Sequence, residues 1–112
     1  MKQYTNESQT AKLIELGFKK PKSSVECELP KEDWRIGQVG IRKAYSIGEL
    51  IEMLPRVVED EDSEYATISI YHDTISWVID YQSPERCFYS TSNIELVDAL
   101  YEMIVKLKED GI

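Results

Sequence analysis

The chain is poor in the residues that carry chemistry. Of its 112 residues, two are cysteine (Cys27 and Cys87) and one is histidine, His72. No Cys-x-x-Cys spacing occurs, so neither a zinc site nor a thioredoxin-like redox pair has a basis. In a reducing compartment two such distant cysteines stay free thiols. No apolar run nears the roughly 20 residues that cross a bilayer. The opening residues, MKQYTNESQT, hold no apolar signal-peptide core. The expectation is a cytoplasmic protein with no membrane attachment. Glycine is absent from residues 49–110, which removes the sharp turn that an EF-hand loop needs. No motif for a cofactor is present.

Positive charge is scarce where negative charge is dense. Residues 1–43 carry nine Lys/Arg against six Asp/Glu, a net +3. Residues 44–112 carry four against fifteen, a net −11, and the whole chain is −8. Nucleic-acid binding runs on cationic side chains, so this balance disfavours it. The charge suits solubility or a basic partner. It also opposes casual self-association, so a monomer or weak homodimer is expected.

What is present reads as one α+β domain spanning residues 1–112. The strongest signal is a C-terminal helix over 92–110. Ile94, Val97, Leu100, Tyr101, Ile104 and Leu107 form its apolar stripe. Ser92 with Glu95 has the spacing of a capping box, with Asn93 as rival cap. A first helix is expected from about Glu7 to Leu16, capped by Thr5 or Asn6. Gly17 then offers the left-handed residue that ends helices, and Phe18 folds back toward Leu13. Gly111, Ile112 and Leu107 repeat that ending. Ser46 with Glu49 caps a short central helix carrying Ile47, Leu50, Ile51 and Leu54, and Pro55 follows.

The β signal is clearest in residues 66–81. A turn at His72-Asp73 sets Ile70 opposite Ile75, Ile68 opposite Trp77 and Ala66 opposite Ile79, all on one face. His-Asp lacks the glycine of a tight turn, so a four-residue loop in the same register is the other option. Residues 86–90 read as a third strand. The expected order is α-α-β-β-β-α, with the C-terminal and N-terminal helices covering one face of a small antiparallel sheet. Residues 22–45 give little periodicity. Val25 to Leu29 alternates like an edge strand, and Trp34, Ile36, Val39 and Ile41 argue for an ordered loop.

Three blocks in order have a familiar look. They are Thr10–Phe18, Ala44–Pro55 and Leu96–Glu109. Together they resemble small proteins of phages, prophages and mobile elements of gut-dwelling bacteria, for which no activity is assigned. The resemblance implies a mobile-element setting and brings no catalytic or binding residues with it.

The chemical candidates each meet a plainer reading. His72 beside Asp73 suggests a general base, yet adjacent strand residues face opposite ways. Cys87 would need a cationic neighbour to become a nucleophile, and Arg86 points elsewhere on a strand. Lys19, Lys20, Lys22, Arg35, Arg42 and Lys43, with Trp34 and Tyr45, match no nucleic-acid motif. Gly37-x-x-Gly40 lacks the lysine of a phosphate loop. The surface left for a partner is acidic: Glu95, Asp98 and Glu102 along the last helix, with Glu59, Asp60, Glu61 and Asp62 of the connector. Small size, the lack of a catalytic constellation and the resemblance together lead to the expected function, a non-enzymatic module of a phage or mobile element that binds an unknown protein. An acidic decoy imitating DNA phosphates, or an enzyme whose site assembles only in the fold, are the alternatives.

Overall fold

The computed structural model describes residues 2–28, 39–59 and 64–112. Among them the order is α1 (Glu7–Glu15), β1 (Ser23–Glu28), β2 (Val39–Ala44), α2 (Ile47–Met53), β3 (Val57–Glu59), β4 (Tyr65–His72), β5 (Trp77–Gln82), β6 (Cys87–Asn93) and α3 (Leu96–Glu109). The fold is α+β, with β1 and β2 in an antiparallel ribbon and β3-β4-β5-β6 in an antiparallel sheet. Three strands thus precede the expected hairpin. The alternation at Val25 marked β1. Its partner β2 pairs Arg42 with Val25 and Ala44 with Ser23, and a run such as Ile-Arg-Lys-Ala does not alternate. β3 is too short for any period to show.

The helices form for the reasons their sequences offer. Asn6 caps α1: its side chain accepts from the Gln9 N–H at 2.8 Å, and the Gln9 side chain accepts from the Asn6 N–H at 3.0 Å. Ser46 and Glu49 do the same for α2, both at 3.2 Å. Both longer helices end alike. Gly17 and Gly111 take φ of 99° and 80°. Phe18 N–H then donates to Leu13 O at 3.2 Å, and Ile112 N–H to Leu107 O at 2.9 Å. Only glycine takes that backbone cheaply.

The start of α3 departs from expectation. Ser92 and Asn93 belong to β6, where they pair with Val78 and Trp77. The helix begins at Leu96, and Glu95 occupies the cap without a side-chain capping bond. Completing the strand ladder outweighs a local serine cap, because each added ladder residue satisfies a backbone donor and acceptor. Ile94, expected in the helical stripe, sits in the bend and is 70% exposed.

The β4–β5 register also differs. Ile70 pairs with Ile79, Ile68 with Tyr81 and His72 with Trp77. The loop is Asp73–Ser76, not His72-Asp73. Asp73 N–H donates to Ser76 O at 2.9 Å, and the Asp73 carboxylate accepts from Ile75 N–H and Ser76 N–H, each at 2.7 Å. The shift is even, so the same side chains keep the same face. Ile75, expected in the core, stands at the loop tip, 76% exposed.

The core lies between the sheet and α3, which packs against β5, β6 and α2. Leu13, Leu50, Leu54, Ile79, Val97, Leu100, Ile104 and Leu107 are buried in one cluster. Ala66, Tyr81, Leu96, Ala99 and Met103 join them. On α1 and α2, Ile14 and Ile51 are 39% and 41% exposed, although the apolar face of each helix is expected to carry them inward. Ile68, Ile70 and Trp77 are only partly buried, because α3 packs on β5 and β6 and does not reach across to β4.

Candidate functional site

The acidic face of α3 is built into a clamp. Lys2 backbone N–H donates to Glu95 Oε2 at 2.7 Å. Its Nζ donates to Asp98 Oδ1 at 2.7 Å and to Gln9 Oε1 at 3.1 Å. Gln9 Nε2 donates to the same Asp98 oxygen at 2.7 Å. Burial pushes the Asp98 carboxyl up, but the bonds from Lys2 and Gln9 and the lysine charge outweigh it and hold the group below its ordinary value. Thr5 extends the clamp to the other side. Thr10 hydroxyl donates to Asn6 O at 2.8 Å, so the 2.7 Å contact between the two hydroxyls must run from Thr5 to Thr10. Thr5 Oγ1 accepts from Tyr45 N–H at 3.0 Å, Thr5 N–H donates to Tyr45 O at 3.0 Å, and Arg42 Nη2 donates to Thr5 O at 2.9 Å. A segment that reads as a polar tail therefore ties α1, β2 and α3 together.

Of the acidic candidates, Glu95 and Asp98 are thus engaged within the chain, and Glu102 accepts from Asn93 Nδ2 at 3.2 Å. Glu59 is exposed on β3, the opposite edge of the sheet from β6. Three strand spacings, about 14 Å, separate those edges. Asp60, Glu61 and Asp62 lie outside the described residues. The described carboxylates are not gathered on one face.

Nor are the nucleophile and base candidates brought together. His72 pairs with Trp77 at one end of β5, and Cys87 with Gln82 at the other. Five residue steps of strand put them about 17 Å apart. His72 stacks edge-on against Trp77, ring centroids 5.0 Å apart. Cys87 is exposed and Cys27 lies on β1. Of the basic candidates, Arg42 and Lys43 bond within the chain. Tyr45 is buried and donates to Lys19 O. Trp34, Arg35 and Gly37 lie outside the described residues. Among the described residues no group of three metal-ligating side chains is assembled.

One residue that the sequence did not single out is Asp80. It is buried on the sheet face away from α3 and accepts from Tyr71 hydroxyl at 2.9 Å, Gln82 Nε2 at 2.9 Å and the Ser90 hydroxyl. Three neutral donors replace the water a carboxylate loses on burial. Asp80 is a strand residue between Ile79 and Tyr81, and its only advance signal was a charge inside an apolar run.

Among the described residues a groove of about 630 Å³ lies between α2 and the sheet edge. Ile51, Leu54, Val57, Ile68 and Ile70 supply its apolar lining, with Glu52, Arg56 and Thr67 around them. Val57 is 47% exposed. At the far end of the sheet, exposed Ile75 stands in the β4–β5 loop and exposed Ile94 follows Asn93, the ladder partner of Trp77. Comparison with known protein families, with curated proteins and with solved structures finds no match to this chain.

Proposed function

We propose that the chain is a non-enzymatic protein-interaction module serving a phage or mobile element. The carrying observation is the apolar groove between α2 and β4, where Ile51 and Val57 face water beside partly buried Ile68 and Ile70. Apolar patches rimmed by polar groups on small proteins mark docking surfaces. The resemblance of the three helical blocks supplies the mobile-element setting. The acidic decoy has less support, because Glu95 and Asp98 already serve the N-terminal clamp. The test is affinity capture from the native host at several salt concentrations, comparing the natural chain with Ile51→Glu and with Ile75→Asp. A partner lost with either variant supports the module. Capture that is unspecific, or indifferent to both substitutions, overturns it.

A further inference from the structure

The groove lies beside an open length of sheet edge. β3 accompanies β4 only from Tyr65 to Thr67, and Ile68 N–H then donates to Arg56 O at 3.1 Å. Tyr81 hydroxyl holds Pro55 O at 2.6 Å beneath the inner face, so the chain turns away from the edge there. β4 itself continues to His72. In an antiparallel ladder the N–H and C=O of one residue point to the same side, and successive residues alternate sides. The Ile68–Arg56 bond fixes the even residues of β4 toward β3. The Asp73–Ser76 bond fixes the odd ones toward β5. The N–H and C=O of Ile70 and His72 therefore point outward, and among the described residues no strand lies alongside them.

We infer that this edge takes an extended, basic-apolar peptide segment of a partner protein, added as a strand next to Ile70–His72 in the track that β3 vacates. The inference rests on reading the chain as an interaction module and names the partner's chemistry. A strand in that track alternates its side chains, so every second one drops into the groove among Ile51, Leu54, Ile68 and Ile70. Charge selects the flanking residues. Exposed Asp73 follows His72 at the end of the open edge, and exposed Glu52 and Arg56 stand at the groove. Residues 44–112 add a net −11. Lysine or arginine between the apolar positions meets this field. A second copy of the chain is the poorer occupant, because each copy carries a net −8 and like charges repel on association.

The probe is a short peptide alternating lysine and valine, titrated into the full chain and followed by amide NMR and hydrogen exchange. Two comparison peptides are a lysine–valine isomer patterned at helical spacing and an alternating glutamate–valine peptide. Expected is slower exchange at the Ile70 and His72 amides, affinity about tenfold above either comparison peptide, and weakening with salt. His72→Pro removes an outward N–H without breaking a ladder bond, and Ile51→Glu charges the groove wall. Each lowers affinity about tenfold while thermal melts stay near the natural chain's. Equal affinity for all three peptides, protection confined to the Ile75–Ile94 end, or no loss in either variant overturns the strand-addition proposal. Protection at the Ile75–Ile94 end alone would leave the interaction module standing. Concentration-dependent dimers sharing the Ile70 edge would replace the peptide with a second copy.

Discussion

Two isoleucines in one hairpin separate the observed register from the one that strand alternation suggests. Ile79 is fully buried and Ile75 is 76% exposed. Truncating Ile79 to alanine removes three carbons, about 2.4 kcal/mol of transfer free energy at about 0.8 kcal/mol each. The neighbours relax only in part. A residual void of about 50 Å³ adds about 1 kcal/mol at about 24 cal/mol per Å³. The expected loss is about 3.5 kcal/mol. With a urea slope of about 1.5 kcal/mol/M, the midpoint falls by about 2 M. Ile75→Ala removes the same atoms from the loop tip, and surface changes of that kind stay within about 0.5 kcal/mol. Urea unfolding of both variants by circular dichroism, with the slope checked for constancy, reads the difference directly. In the alternative pairing, with Ile70 opposite Ile75 and Ala66 opposite Ile79, both side chains face the core. Losses within about 1 kcal/mol of each other would refute the observed register.

Three further outcomes follow from the sites described. Asp98→Asn should cost about 1 kcal/mol at neutral pH. Its folded carboxyl lies below the ordinary 3.8, so the contribution is present above that value and fades as pH falls through the folded one. The gap between variant and natural chain should close in acid, and a gap constant down to low pH would contradict the clamp. Burial pushes the Tyr81 phenol up to about 12. A raised value gives stability that is full below the ordinary 10 and is lost as pH climbs toward 12. Tyr81→Phe should lose about 1 kcal/mol near neutrality and flatten alkaline unfolding, and an unchanged alkaline limb would count against it. Gly17→Ala should destabilise by about 1 kcal/mol in thermal melts, since φ is 99° and no atom lies near the added Cβ. A neutral result would mean that α1 ends some other way.

Much of the scaffold was readable because helix ends carry local chemistry. Asn6–Gln9, Ser46–Glu49, Gly17 and Gly111 act within a few residues of themselves, and sequence shows such neighbours. The Ser92–Glu95 pair misled for the same reason: its spacing is right, but Ser92 is committed to Val78 across the sheet. Register escaped because an even slip leaves every face unchanged. Asp73 held the missing signal, since a short carboxylate opening a loop can gather the next free N–H groups. β3 and β2 had no legible period. The acidic face of α3 was legible as a surface, but its engagement by Lys2 was not, as nothing in the chain's opening residues points to a partner more than ninety positions away.

That distance has a kinetic meaning. Lys2 meets Glu95 and Asp98 across separations of 93 and 96 residues. Closing such a loop costs about 2 kcal/mol more chain entropy than closing one of about ten residues. The β4–β5 turn and the helix ends can form before that cost is met, so the clamp should close last. Weakening it with Lys2→Ala should quicken unfolding and leave the folding rate nearly unchanged, a φ-value near zero at the second residue. On the ribosome Lys2 is made more than ninety residues before Glu95 and Asp98. Until α3 emerges, Lys2 and Gln9 wait without their carboxylate partners, and that waiting interval is when a chaperone or a binding partner would find the nascent chain most open.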